Sequence, residues 1–194
     1  MKWMLAALLA TSSLIAKEVE PIVHYQALFS PKDHLAEELI SLIEREKKSI
    51  KVAVYCLTHR GIVKALTVAQ ARGVAIEVIV DPFSLRAKGG AKQLDKVSFP
   101  VFVWSPEPQF RQFKNGKKVK KKQALMHDKF CVFGEDRVWT GSFNFTMQAT
   151  HTHQENALVV ENKEIANSYL SEFERVKKSG CIPLSIYLAD SQRK

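Results

Sequence analysis

The segment from Ile50 to Val80 reads as strand, helix, strand with short joints, and that order restricts the chain to folds able to bury a parallel strand pair. Ile50 to Leu57 is an apolar run of strand length, and Thr58 stands where a helix N-cap belongs. Ile62, Val63, Leu66 and Ala69 then mark one helical face, and Gly73 sits where a left-handed residue ends a helix. Val74 to Val80 returns as a second strand, closed by Asp81-Pro82. A parallel pair joined this way takes a right-handed crossover.

Elements on either side extend this unit. Apolar residues alternate at Val23, Tyr25, Ala27 and Phe29, and Ser30-Pro31-Lys32-Asp33 offers an N-cap, a proline at N1 and an acid at N3. Leu35, Leu39, Leu42 and Ile43 follow as a helical stripe. Beyond the central unit the pattern predicts a weaker helix from about Ser84 to Lys96, a strand Val101–Trp104, and a polar loop over 105–124. Strands at Lys129–Phe133, Val138–Thr140 and Asn156–Val160 come next, the first two joined by a Gly134-Glu135-Asp136 turn. A last helix carries Ile165, Tyr169, Phe173 and Val176 and ends at Gly180, while Ser185–Lys194 shows no sustained period. The expected class is α/β, with a mixed, largely parallel sheet flanked by helices on both faces.

With 194 residues, one domain over 17–184 and a C-terminal tail over 185–194 are expected, since no repeat and no linker divides the chain. Residues 1–16, MKWMLAALLATSSLIA, have the positive start, short apolar run and small residue of a secretory signal, or of a short anchor if left uncut. The apolar stretch falls below the roughly 20 residues that span a bilayer. A formal charge of +9 points to polyanions, whether nucleic acid or anionic lipid. Cys56, Cys131 and Cys181 form no disulfide framework, and the first two read as buried thiols.

The chemistry concentrates in Met126 to Thr146, MHDKFCVFGEDRVWTGSFNFT. His127 and Lys129 are two apart, the spacing that turns both side chains to one face of an extended strand. A polar turn, Gly141-Ser142-Phe143-Asn144, follows. Imidazole, ammonium, hydroxyl and amide together suit a phosphate group.

These residues resemble the HKD motif of the phospholipase D superfamily. The similarity continues through Phe145-Thr146, through Gln154-Glu155-Asn156, and through SPKDHLAEELISLIEREKKSIKVAVYCLT at the front of the chain. It points to the small single-motif branch of bacterial endonucleases and mitochondrial cardiolipin hydrolases, and to a phospholipase D-like α/β fold. The resemblance implies phosphodiester cleavage with no metal and no cofactor, His127 attacking phosphorus to form a phosphohistidine that water then hydrolyses. A neutral imidazole suits that role near pH 7. Lys129 would hold the non-bridging oxygens, Asn144 donate to them, Ser142 brace the site, and Glu155 fix the imidazole. With one motif per chain, the resemblance implies a homodimer sharing one active site, one histidine attacking while its mate protonates the leaving oxygen. One departure stands out: where the motif has aspartate, five residues after the lysine, this chain has Gly134.

Lys114, Lys117, Lys118, Lys120, Lys121 and Lys122 gather in nine residues just before His127 and read as a substrate-binding loop, with Phe110 and Phe113 as rings for stacking or packing. His151 and His153 lack the further ligands a zinc site needs, and His24, His34 and His59 read as structural or surface residues. Asp81 reads as a turn residue. The expected function is an exported, periplasmic or secreted nuclease acting on DNA or RNA. A phospholipase acting on cardiolipin or other anionic lipid is the alternative, and an inactive polyanion-binding module a third.

Overall fold

A computed structural model describes residues 24–87, 90–107, 110–112, 118–120 and 124–191. Its elements are β1 (His24–Ser30), α1 (Leu35–Arg45), β2 (Ser49–Val54), α2 (Arg60–Ala71), β3 (Ala75–Val80), α3 (Pro82–Arg86), α4 (Gly90–Leu94), β4 (Val101–Trp104), β5 (Phe110–Gln112), β6 (Lys118–Lys120), β7 (Lys129–Phe133), β8 (Arg137–Gly141), α5 (Met147–His151), β9 (Glu155–Glu161), α6 (Lys163–Gly180), β10 (Cys181–Pro183) and α7 (Leu184–Ser191). Eight strands form one mixed sheet in the order β1-β9-β8-β7-β2-β3-β4-β10, and β5 and β6 form a separate hairpin.

Helices cover both faces, as expected. On one side α1 and α2 bury Leu35, Leu39, Ile43, Ile62 and Leu66 against Val52, Val54, Cys131, Phe133 and Trp139. On the other, Phe173 and Val176 of α6 pack on Ala53, Ile79, Phe130 and Val132. Each such aliphatic or aromatic side chain contributes about 1.5–3 kcal/mol on leaving water. Alternation along β7 decides the site: Phe130 and Val132 belong to the α6 layer, so Lys129, Cys131 and Phe133 face the α1/α2 layer.

The sheet is less parallel than the sequence pattern suggests. Only β2–β3 and β3–β4 are parallel, and the other five pairings are antiparallel. The βαβ unit sets the parallel part. The second half of the chain uses short returns, a three-residue turn between β7 and β8 among them, and short returns join antiparallel strands.

Local expectations shift in several places. His59, not Thr58, caps α2, its Nδ1 accepting from the Ile62 N–H at 3.3 Å. Ser30 ends β1 instead of capping a helix, and α1 starts after His34, whose φ is 49°. Tyr25 and Phe29 face outward, 75% and 55% exposed, while Leu28 and Ser30 turn to the α1/α2 layer. The helix expected over Ser84–Lys96 is two short pieces, because Ala87 is extended (φ −63°, ψ 145°) and stops α3. Within the loop over 105–124, β5 and β6 pair antiparallel. The tail is helical through Ser191: Leu184, Tyr187 and Leu188, spaced i, i+3, i+4, pack on the core. Two turns are too short for that period to stand out in the sequence. The expected signal over residues 1–16 lies outside the described residues.

Candidate functional site

His127 enters the structure between two anchors. Ahead of it, the Met126 N–H donates to Asp81 Oδ2 at 3.1 Å, and behind it the Tyr55 N–H donates to the Asp128 carbonyl at 2.9 Å. The buried carboxylate of Asp81 also caps α3 through the Phe83 N–H at 2.9 Å. One turn residue therefore joins the carboxyl end of β3 to the strand that carries the imidazole.

Lys129 is the first residue of β7 and is 8% exposed. Its Nζ lies 3.1 Å from His127 Nδ1, donates to the His127 carbonyl, and stands 5.3 Å from the Tyr55 ring centre. Burial pushes its pKa below the ordinary 10.5, opposed by the negative charges of Asp128 and Glu155. An ammonium held in so little water has a strong electrostatic reach toward an entering anion. With that ammonium donating to Nδ1, the neutral ring carries its own proton on Nε2. On the α6 side of the same turn, burial and the nearby Glu172 raise Asp128 above the usual carboxylate range.

The polar turn is placed by its aromatics. Phe143 and Phe145 are fully buried, Phe143 meeting Trp139 edge-on at 6.2 Å and Phe145 at 5.9 Å, so Ser142 and Asn144, which alternate with them, take the other side of the turn and are half-buried. Register brings them to the site. Phe130 pairs with Thr140, which sets Lys129 level with Gly141, and Phe145 lies against Cys56 and Leu57 just past Tyr55. Gly141 is required there: a Cβ would fall 2.2 Å from the Asn156 carbonyl oxygen.

Ser142 ties the polar turn to β9. Its hydroxyl donates to Glu155 Oε2 and accepts from the Asn156 N–H at 3.0 Å. Ser30, read from the sequence only as a helix cap, supports the same acid: its hydroxyl donates to the His153 carbonyl at 2.8 Å and accepts from the Glu155 N–H at 3.2 Å. Glu155 departs from expectation. Its carboxylate meets Ser142 and, at 3.6 Å, His153 Nδ1, while His127 Nδ1 is engaged by Lys129. Glu155 thus acts electrostatically on Lys129 and makes no direct bond to the imidazole of its own chain. Asn144 Oδ1 is buried with no donor among the described residues.

Gly134 is remote from all of this. It has φ +56° and forms the turn after Phe133, so the five residues of β7, at about 3.4 Å each, put it roughly 17 Å along the strand from the Lys129 end. The missing aspartate therefore removes no group from the site. Of the lysines expected to bind substrate, Lys114, Lys117, Lys121 and Lys122 lie outside the described residues. Lys118 and Lys120 are described as backbone of β6 only. Among the described residues no group of three or more His, Cys, Asp or Glu is placed to hold a metal ion.

Tyr55, just past β2, adjoins the imidazole, and Phe83 of α3 adjoins Tyr55; neither had a sequence signal. Tyr55 packs on His127 with ring centres 4.6 Å apart and planes at 53°, and Phe83 stacks on Tyr55 at 5.0 Å and 11°.

Comparison with known proteins agrees with this geometry. Residues 39–177 match the family described as cardiolipin synthase, PLD-like domain. A phospholipase D of Rickettsia conorii is 28% identical over 151 residues, covering 78% of this chain and 68% of that protein. A mitochondrial cardiolipin hydrolase of Xenopus tropicalis is 28% identical over 156 residues, 80% of this chain and 64% of that one. Among solved structures, the phospholipase D family member Nuc from Salmonella typhimurium aligns with a TM-score of 0.68 and 25% identity over 82% of this chain and 97% of that one. NucT from Helicobacter pylori shares the fold, with a TM-score of 0.69 and 24% identity over 84% and 99% of the two chains.

Proposed function

Because this chain belongs to the phospholipase D-like family and is a phosphodiesterase of that family, we propose that it cleaves nucleic acid, without a metal, through a phosphohistidine at His127. The observation that carries the reading is the buried Lys129 ammonium 3.1 Å from the imidazole of an exposed His127. An entering phosphate competes for that ammonium. Once Nζ turns to a non-bridging oxygen, the Nε2 proton exchanges through solvent to Nδ1, and Nε2 presents its lone pair to phosphorus, while Glu155 acts on the site through the charge of Lys129. The N–P bond forms as the P–O bond to the leaving oxygen breaks. Water then attacks phosphorus, the N–P bond breaks, and the imidazole is restored.

The leaving oxygen needs a proton, and general-acid help of this kind is worth about 10² to 10⁴ in rate. The chain has one His127, so the account assigns that proton to the same residue of a second copy, in a two-fold homodimer sharing one site. Asn144 donates to the phosphoryl oxygens through its amide N–H groups.

Charge supports nucleic acid as the substrate. The chain carries +9, with the lysines at 114, 117, 118, 120, 121 and 122 immediately ahead of His127 in sequence. Anionic phospholipid is the second reading, favoured by relatives that carry the names phospholipase D and cardiolipin hydrolase. Export, from the leader-like first sixteen residues, completes the proposal. The test sets single- and double-stranded DNA, RNA and phosphatidylglycerol vesicles against one preparation in EDTA. Strand cleavage that disappears in His127→Ala supports the proposal, and phosphatidic acid release with intact DNA and RNA reverses it.

A further inference from the structure

Phe83 is 41% exposed, large and apolar, yet it is held in place with unusual thoroughness. Asp81 caps its helix through the Phe83 N–H, and Pro82 fixes the first helical turn. The next residue, Ser84, is fully buried; its hydroxyl donates to the Tyr55 carbonyl at 3.0 Å and accepts from the Leu57 N–H at 2.9 Å. These bonds clamp α3 to the strand end that bears Tyr55 and set the two stacked rings 11° from parallel. Tyr55 in turn lies against the His127 imidazole, with the Lys129 ammonium 5.3 Å from its ring centre. An aromatic left partly in water and fixed at its backbone and its neighbour contributes little to the core. Its rigidity fits a contact surface instead.

We propose that Phe83, backed by the stacked Tyr55 ring, is a nucleobase subsite, on whose exposed face a base next to the scissile phosphate of a single strand stacks. This rests on the nuclease reading and deepens it. Every base has a π-face, so such a platform tolerates all sequences while rejecting a backbone without bases. A duplex, whose bases are already stacked and paired, has to be opened before it can use the platform, so the subsite selects single strands. The phosphate sits at Lys129 and the base lies on the exposed face of Phe83, with the α3 clamp holding the register between them.

The test uses the full chain and a single-stranded oligonucleotide in which one internal residue is either thymidine or an abasic tetrahydrofuran unit. Cleavage is mapped at every linkage. In the wild type, cleavage next to the abasic unit falls roughly 5- to 150-fold below the same linkage beside thymidine, the range for one stacked base. Phe83→Ala brings that ratio close to one, and Phe83→Trp keeps it. Equal cleavage beside thymidine and the abasic unit, in an enzyme that cuts the rest of the strand well, overturns the subsite alone. An enzyme that cuts neither strand anywhere overturns the nuclease reading, and the subsite with it. Two other results also overturn the subsite: a Phe83→Ala variant that keeps base discrimination but loses phosphatidic acid release from phosphatidylglycerol vesicles, and one that changes oligomeric state on gel filtration.

Discussion

Replacing Gly134 with aspartate restores the motif residue, and a reading by motif alone expects a gain in activity. The geometry predicts a loss of stability with no gain. Gly134 has φ +56°, a conformation that costs an ordinary L-residue about 1–2 kcal/mol, with aspartate near the lower end because its short side chain tolerates it. Space is adequate, since an added Cβ would lie 3.6 Å from Glu46 Oε1 and 3.9 Å from Asp136 Oδ1. Charge is not: a third carboxylate would face two others, and a like pair about 4 Å apart repels by about 1 kcal/mol even in water. Roughly 2 kcal/mol in total lowers the melting temperature by about 4–8 °C in a chain of this length. Gly134→Asn, with the same shape and no charge, should lose about half as much. The assay is thermal unfolding of the three proteins beside their turnover of one oligonucleotide well below the transition. A tenfold rise in kcat for Gly134→Asp, or a higher melting temperature, refutes the argument that this turn is remote from the chemistry.

Lys129→Met should cut kcat by about 10² to 10³, as loss of one transition-state donor does, and yet raise the melting temperature, because it removes a charge that burial disfavours. The sign follows from linkage: with the folded pKa below 10.5, the unfolded chain binds more protons between those two values, so stability climbs with pH in that window. The climb attributable to this residue is absent from the variant, as melting curves over an alkaline pH series would register. At the acid end, Glu77 resists burial because Lys177 and Lys51 both donate to its carboxylate, and its pKa falls below the ordinary 4.5. That stability is present above 4.5 and lost as pH falls through the depressed value, so Glu77→Gln should flatten the acid limb of a stability profile; an unchanged limb counts against the pairing. His59→Ala removes the α2 cap and should cost about 1 kcal/mol in urea unfolding, with kcat unaltered.

Much of this was legible because periodicity is local. The βαβ unit and the α6 stripe through Phe173 and Val176 need no knowledge of neighbours. Strand order was not legible, since nothing in Lys129–Phe133 says that it pairs antiparallel with β2, some eighty residues earlier. Caps were misplaced by a residue or more because Thr58 and Ser30 are good capping types, whereas His59 caps through tertiary burial that favours its neutral ring. In the site, His127 and Lys129 were readable from spacing, and Ser142 and Asn144 from their alternation with Phe143 and Phe145. Glu155 was readable as a residue but not in its contacts, since Ser142 and Ser30 reach it from other strands. Tyr55 and Phe83 were invisible: they meet only after α3 is clamped to the end of β2.

The central claim is that His127 carries the phosphoryl group. Mixing the protein in EDTA with a 5′- or 3′-labelled oligonucleotide, quenching at alkaline pH where phosphoramidates persist, and mapping the label by peptide mass spectrometry tests it directly. The account predicts an adduct on His127 that appears before product accumulates and is absent from His127→Ala. Full turnover with no adduct on that residue, or undiminished cleavage by His127→Ala, contradicts it.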